Sequence, residues 1–172
     1  MRRVQRMGRP KEYFYVLTQL LPSEIDTLAL GRRLAKQVRS GDVIALSGPL
    51  GAGKTALARG FIRQRLGRDV DVSSPTFALV QVYDQTTPAV WHFDLYRLDN
   101  PDDCVELGLD EALATGVCLI EWPEKAAAWL PRDRLDIALS ADGSEDARMA
   151  TLTPGPSWAD RINQMPDLES PT

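Results

Sequence analysis

The sequence has little of the chemistry on which metal- or thiol-dependent proteins rely. It contains one histidine and two cysteines, and Cys104 and Cys118 show neither CxxC spacing nor a neighbouring histidine cluster. No stretch approaches the roughly 20 apolar residues that a membrane span requires. No apolar segment is followed by a small-residue cleavage site, as in a secretory signal. These absences predict free thiols in a reducing compartment, and therefore a cytoplasmic protein that does not enter a membrane.

Positive charge is also in short supply. The 172 residues include 24 acidic and 20 basic side chains, a formal net charge of −4, which argues against a broad nucleic-acid-binding face. The first eleven residues, MRRVQRMGRPK, are an exception with five basic residues and no acidic one. A short arm that touches RNA or a partner is one interpretation. We favour a disordered leader, or a start assigned too far upstream of Met7.

The sequence divides into three parts: a basic leader (1–12), one domain (13–153) and a tail (154–172). The tail holds four of the twelve prolines and little periodicity, so we expect it to be loose. Within the domain, hydrophobic patterns predict strands at 13–21, 42–46, 70–72, 77–83, 89–96, 116–122, 134–140 and 147–153. Short turns join 77–83 to 89–96 and 134–140 to 147–153, which predicts two hairpins, at 77–96 and 134–153.

Three helices are predicted, over 21–41, 54–66 and 101–114. Ser23 is the predicted N-cap of the first helix. One face of that helix should be buried through Ile25, Leu28, Leu34, Ala35 and Val38.

The segment GPLGAGKT (48–55) matches G-x-x-x-x-G-K-[ST] at every fixed position, with an apolar strand before it and a helix after it. Glycines at such positions let backbone N–H groups approach phosphate oxygens, and the dipole of the following helix favours negative charge. Lys54 should reach the β- and γ-phosphates, and the Thr55 hydroxyl should bind Mg²⁺. The sequence therefore predicts a nucleotide site whose contacts come from Leu50, Gly51, Ala52, Gly53, Lys54 and Thr55.

Two carboxylates follow apolar strands, as expected for residues that serve a metal at the mouth of a parallel sheet. Glu121 comes after Val117–Ile120 and before a Trp-Pro pair; it either serves the metal or is a solvated strand-end glutamate. Asp94, in WHFDLYRL, either acts on magnesium or the attacking water, or is a strand cap or a partner of Arg97. For His92 we expect a hydrogen-bonded structural role rather than a catalytic one.

The segment SSPTF (73–77) lies where switching P-loop proteins keep a loop that senses the γ-phosphate. Pro75 forces Ser74 toward extended geometry and presents Thr76 on a loop. Thr76 either contacts Mg²⁺ or the γ-phosphate, or belongs to an ordinary serine/threonine turn.

Taken in order, GPLGAGKT, SPTF, HFDLYRL and EWPE, between about Leu21 and Thr153, resemble the TsaE family. The resemblance implies an α/β fold, a P-loop NTPase-like three-layer sandwich with a mixed central sheet flanked by helices. It also implies ATP and Mg²⁺ as ligands and weak ATPase activity. The residues that it places in the site are Lys54, Asp94, Glu121 and Thr76 for catalysis, Thr55 and Glu121 for the metal, and Glu24 near the nucleotide base.

The same resemblance implies an accessory role in forming threonylcarbamoyladenosine next to the anticodon of tRNA. The partners would be TsaB and the transferase TsaD, with tRNA contacted only through the complex, and the isolated chain would be a monomer. Pro49 departs from the family, in which that position is often acidic, but it presents backbone to the ligand.

The strongest alternative is a small-molecule or nucleoside kinase of the P-loop class. Such kinases need an acceptor pocket and a lid, and the segment after Glu121 runs past Arg132 and Arg134 straight into a predicted hairpin. A GTPase switch is disfavoured because no N-K-x-D motif is present. A nucleotide-binding scaffold without turnover is the remaining alternative.

Overall fold

The computed structural model describes residues 2–7, 14–144 and 146–165. Its strands are β1 (Arg2–Met7), β2 (Phe14–Leu21), β3 (Val43–Ser47), β4 (Val80–Tyr83), β5 (Val90–Asp94), β6 (Val117–Glu121), β7 (Leu135–Ala141) and β8 (Arg148–Pro154). Its helices are α1 (Glu24–Ala35), α2 (Lys54–Leu66), α3 (Asp103–Glu106), α4 (Leu109–Thr115) and α5 (Pro156–Asn163).

All eight strands form one mixed sheet in the order β1-β2-β8-β7-β3-β6-β5-β4. The four central strands β7, β3, β6 and β5 are parallel, and antiparallel strands extend the sheet on both sides. Both hairpins predicted from the sequence, β4–β5 and β7–β8, are present. The carboxyl ends of the parallel strands therefore meet along one edge, where α/β sheets bind ligands.

The central strands are buried on both faces, as parallel strands usually are. Ile44 of β3 belongs to a core shared with α1, α2 and α5. Its neighbour Val43 belongs to a second core shared with α3 and α4. Alternating side chains thus separate two cores on opposite faces of the sheet, which confirms the predicted three-layer α/β sandwich.

The helix α1 begins where the sequence predicts. Ser23 is its N-cap, and a capping box joins the Ser23 hydroxyl to the Asp26 amide while the Asp26 carboxylate accepts from the Ser23 amide at 3.0 Å. The predicted buried face was partly wrong. Leu34 and Ala35 are buried as predicted, but Ile25 is 66% exposed, and the other buried residues of the helix are Thr27, Leu30 and Gly31.

Glycine allows α1 and α2 to pack with their backbones almost in contact. A Cβ on Gly60 would lie 2.1 Å from the Leu28 carbonyl oxygen, and one on Gly31 would lie 2.1 Å from the Leu57 carbonyl oxygen. No side chain fits at such distances. Because α2 starts directly from the P-loop, this contact also sets the direction in which its N-terminus points.

Three other predicted elements differ from the structure. No strand forms at 70–72, because Arg63 and Arg59 donate to the carbonyl oxygens of Val70 and Val72. The strand expected from residue 77 begins only at Val80. The helix expected over 101–114 is divided into α3 and α4 at Gly108, which has a left-handed φ of +83°.

The two ends of the chain also differ from expectation. Residues 2–7 of the leader pair with β2 as an antiparallel edge strand; Met1 and residues 8–12 lie outside the described residues. The tail was expected to be loose, but α5 buries Trp158 and Ile162 completely. The Arg161 guanidinium holds both carboxylate oxygens of Asp42, with one of the contacts at 3.0 Å. Burial of the large apolar side chain of Trp158 orders this part of the tail although its sequence has little periodicity. Residues 166–172 lie outside the described residues.

Both cysteines are free, as predicted, and both are buried. Burial raises the pKa of the Cys118 thiol to about 12, so this thiol is a poor nucleophile. Among the described residues, no helix combines the length and the apolar character needed to cross a membrane.

Replacing Trp158 by Ala tests whether α5 is an integral part of the domain. The substitution should lower the free energy of unfolding by about 3–5 kcal/mol, because a large buried side chain leaves a cavity. Urea denaturation measures the change. Asp160→Ala, at an exposed position of the same helix, should change it by less than about 0.5 kcal/mol. Equal small effects of both substitutions would show that α5 does not contribute to the core.

Candidate nucleotide-binding site

A pocket of about 510 Å³ opens at the edge of the sheet where β3, β5 and β6 end and α2 begins. It brings together every site residue predicted from the sequence. Its lining comprises Glu24, Leu50, Gly51, Ala52, Gly53, Lys54, Thr55, Ala56, Arg59, Ser74, Thr76, Asp94, Tyr96, Arg97, Glu121 and Trp122. Residues separated by nearly 100 positions in the sequence therefore share one cavity.

The P-loop has the backbone shape that its glycines permit. Gly48, Gly51 and Gly53 all have positive φ values, of +136°, +76° and +99°. A Cβ on Gly48 would lie 2.3 Å from the carbonyl oxygen of Leu139, so β7 leaves no room for a side chain at this position. The loop leads directly into the N-terminus of α2, where unpaired N–H groups and the helix dipole favour a phosphate.

The side chain of Lys54 is folded into the loop that carries it. Its ammonium group donates to the carbonyl oxygens of Gly48 at 2.7 Å and Pro49 at 2.9 Å, and lies 4.0 Å from the centre of the Trp122 ring. Burial lowers the pKa of Lys54, and the negative charges of Glu121 and Asp94 oppose that shift. An arriving phosphate would offer the ammonium group a full negative charge in exchange for two carbonyl dipoles.

Glu121 is a buried carboxylate and not a solvated strand end, since only 2% of the residue is exposed. The Thr55 hydroxyl donates to it, with distances of 3.0 Å to Oε1 and 3.2 Å to Oε2. His92 Nε2 lies 2.9 Å from Oε1. The hydrogen-bonded role expected for His92 is therefore present, and its partner is the carboxylate beside the P-loop.

Asp94 is buried beside Glu121 and holds the loop that contains SSPTF. Its Oδ2 accepts from the hydroxyl groups of Thr76, at 2.8 Å, and Ser74, while Oδ1 accepts from the amide of Tyr96 at 3.1 Å. The alternative of an ion pair with Arg97 is wrong. The Arg97 guanidinium instead stacks on the ring of Phe77, 4.6 Å from its centre.

Six residues of the lining were not predicted for the site, namely Ala56, Arg59, Ser74, Tyr96, Arg97 and Trp122; the side chains of Ser74 and Arg59 hydrogen-bond to predicted site residues. Ser74 shares Asp94 with Thr76, and its position in a serine/threonine-proline segment was a signal that it could cap a carboxylate. Arg59 pairs with Glu24 at 3.2 Å across the rim of the pocket. No local pattern joins residues of two different helices, so only the packing of α1 against α2 shows this pair.

The oxygen atoms in the pocket suit Mg²⁺ bound together with a phosphate-bearing ligand. Thr55, Glu121 and Asp94 provide hard oxygen donors, which Mg²⁺ prefers. The described residues contain no group of three or more His, Cys, Asp or Glu side chains that would hold a metal by themselves. Mg²⁺ is usually bound by one or two carboxylates together with water and substrate phosphates.

Replacing Lys54 by Ala should abolish measurable nucleotide binding, because the phosphates lose the only ammonium group among the residues that line the pocket. Titration with a fluorescent ATP analogue measures the affinity. Lys36→Ala removes an exposed lysine just after α1 and should leave the affinity unchanged. Near wild-type affinity of the Lys54 variant would remove this residue from the site.

Comparison with known proteins places this site in a family. Residues 21–150 match the family described as "Threonylcarbamoyl adenosine biosynthesis protein TsaE". The tRNA threonylcarbamoyladenosine biosynthesis protein TsaE of Mycobacterium leprae is 47% identical over 137 residues, 73% of this chain and 83% of that protein. The protein of the same name from Haemophilus influenzae is 38% identical over 142 residues, 79% and 88% of the two chains.

The crystal structure of Bacillus subtilus YdiB is similar, with a TM-score of 0.74 and 30% sequence identity over 90% of this chain and 95% of that one. The family match covers most of the domain and includes all the residues that line the pocket. The chain belongs to the TsaE family.

Proposed function

We propose that this chain binds ATP with Mg²⁺, hydrolyses it slowly, and acts as an accessory ATPase in the formation of threonylcarbamoyladenosine in tRNA. The observation that carries the proposal is the convergence of the P-loop, the Thr55–Glu121 pair and the Asp94 cluster on one pocket. The names of the curated relatives support the pathway.

Within this proposal the P-loop amides and Lys54 bind the phosphates of ATP. Thr55 and Glu121 hold the metal, because the hydroxyl that donates to Glu121 keeps its lone pairs for a cation. Magnesium, when bound, would neutralise negative charge on the phosphates. Glu24, which lines the pocket, would approach the base of the nucleotide.

Asp94 is the candidate for positioning the attacking water. Its two carboxylate oxygens already accept three hydrogen bonds, two of them from Ser74 and Thr76. A water molecule that donates to Asp94 would share this carboxylate with the hydroxyl groups of Ser74 and Thr76. Movement of the SSPTF loop would thereby be coupled to the state of the nucleotide, in keeping with a sensing role for Thr76.

Water is a better candidate for the nucleophile than a small acceptor molecule. After Glu121 the chain makes one 3₁₀ turn (Pro123–Ala126) and reaches β7 at Leu135. The described residues between these points include no further helix or strand that would form a lid. This short connection disfavours the kinase alternative, which needs a lid over its acceptor.

Neither arginine that lines the pocket is free to stabilise a transferring phosphoryl group. Arg59 is paired with Glu24, and Arg97 is stacked on Phe77; these are the two arginines in the lining. In related NTPases a finger arginine contributes about 10³–10⁵ in rate. Slow turnover by the isolated chain follows.

Three exposed apolar side chains would suit a protein partner: Leu50 and Tyr96 line the pocket, and Phe77 contacts Arg97, which also lines it. Phe77 is 86% exposed, Leu50 80% and Tyr96 45%. We propose that TsaD and TsaB dock at the mouth of the pocket, order the SSPTF and HFDLYRL loops, and so accelerate hydrolysis. tRNA would be reached only through that complex.

The roles of the two carboxylates can be separated by magnesium titration. Glu121→Ala should raise the Mg²⁺ concentration needed for half-maximal activity, because Thr55 and the metal lose their carboxylate. Asp94→Ala should reduce turnover more than ATP affinity. Identical profiles for the two variants would show that this division of roles is wrong.

Partner dependence is tested by phosphate release from the full chain alone and with a TsaD–TsaB assembly. The isolated chain should turn over slowly, and the assembly should increase the rate, while Lys54→Ala remains inactive in both conditions. Fast turnover without partners, or no change on adding them, would contradict the proposal and favour the kinase or scaffold alternatives.

A further inference from the structure

His92, in β5, hydrogen-bonds to Glu121, the carboxylate that is proposed to hold the metal. In the β5–β6 ladder it pairs with Leu119, and Glu121 lies two residues farther along β6. Both side chains therefore project from the same face as diagonal neighbours. His92 is completely buried, and its Nε2 atom lies 2.9 Å from Glu121 Oε1.

The hydrogen on the ring can be assigned to Nε2 from its surroundings. An ionised carboxylate only accepts hydrogen bonds, so a bond to Glu121 requires the hydrogen to be on Nε2. His92 Nδ1 is buried without a hydrogen-bond partner in the described part of the chain. The other tautomer would place an unpaired N–H group at Nδ1 and leave Nε2 as an acceptor facing a carboxylate that only accepts.

Two donors thus converge on one carboxylate: His92 from β5 and Thr55 from α2. The His92 ring is rigid and packed in the sheet, whereas the Glu121 side chain has three rotatable bonds. A hydrogen bond from the ring selects one orientation of the carboxylate. That orientation in turn keeps the Thr55 hydrogen on Glu121 and leaves the Thr55 oxygen free to bind a cation.

We infer that His92 is a positioning residue for the metal site, acting through Glu121 and contacting neither metal nor nucleotide itself. The inference rests on the proposed role of Thr55 and Glu121 in holding Mg²⁺. Groups that orient metal ligands from outside the coordination shell typically change metal affinity by about 10–100-fold when removed. A histidine that merely filled space would have no such effect.

Two amide substitutions provide a matched test. In His92→Gln the side-chain nitrogen reaches about as far as Nε2, whereas in His92→Asn it ends near the position of Nδ1 and falls short of Glu121. Mn²⁺ binding to each full-length variant is measured by electron paramagnetic resonance in the presence of a non-hydrolysable ATP analogue. The Asn variant should bind Mn²⁺ at least about 10-fold more weakly than wild type, and the Gln variant should recover most of the loss.

Nucleotide affinity in EDTA and thermal unfolding provide the controls. Both variants should bind the metal-free analogue like wild type, since His92 does not line the pocket. Mn²⁺ affinities are compared at a temperature where all the proteins are folded, and His92→Leu replaces the Asn variant if that variant does not fold. The inference would be overturned if the variant that lacks the donor (Asn or Leu) bound Mn²⁺ as tightly as wild type. It would also be overturned if the Gln and Asn variants lost equal Mn²⁺ affinity.

Glu121→Gln separates this inference from the proposed function. If Glu121→Gln binds Mn²⁺ like wild type, the metal role of Glu121 is itself refuted, and the role of His92 falls with it. If Glu121→Gln loses affinity while the His92 variant without a donor does not, only the positioning role is refuted. If Glu121→Gln and the His92 variant without a donor both lose Mn²⁺ affinity, and His92→Gln recovers it, the metal role of Glu121 and the positioning role of His92 are both supported.

Discussion

The hydrogen bonds to the buried carboxylate of Glu121 join the three elements that form the site. Thr55 contacts it from the start of α2 and His92 from β5, while Glu121 itself ends β6. A buried carboxylate without donors would be strongly disfavoured. The hydrogen bonds from Thr55 and His92 to Glu121 therefore fix α2, β5 and β6 relative to one another. The same hydrogen bonds would orient the carboxylate for a cation.

Asp94 and Glu121 are directly paired in neighbouring parallel strands, which places two carboxylates side by side at 4% and 2% exposure. Like charges in such positions repel one another. Hydroxyl groups donate to each of them, and the nearby ammonium group of Lys54 adds opposite charge. The lining of the pocket holds three acidic residues and three basic ones, and the two buried carboxylates lie beside the phosphate cradle.

Packing far from the pocket determines where these groups stand. The close contact of α1 and α2 through Gly31 and Gly60 directs the N-terminus of α2. The partly buried ion pair of Arg161 and Asp42 attaches α5 next to the start of β3, the strand that leads into the P-loop. Contacts near both ends of the domain therefore position the loops of the site.

Much of this could be predicted from the sequence, because its determinants are local. GPLGAGKT has the glycines that its backbone requires, Ser23 and Asp26 form a cap within one turn, and a continuous apolar run marks β6 as a buried strand. Each of these signals lies within a few residues of the structure that it specifies. The site residues Lys54, Thr55, Asp94 and Glu121 were recognisable for the same reason.

Tertiary structure decided what depends on contacts between distant segments. Arginine side chains of α2 hold residues 70–72 out of the sheet, burial of Trp158 orders a segment expected to be loose, and Arg97 stacks on Phe77 instead of pairing with Asp94. The partners of Glu121 belong to the same class, since Thr55 and His92 lie 66 and 29 residues away. Sequence alone determined which chemical groups are present in this protein, and the sheet decided which of them touch, because hydrogen bonds and burial depend on distance in space.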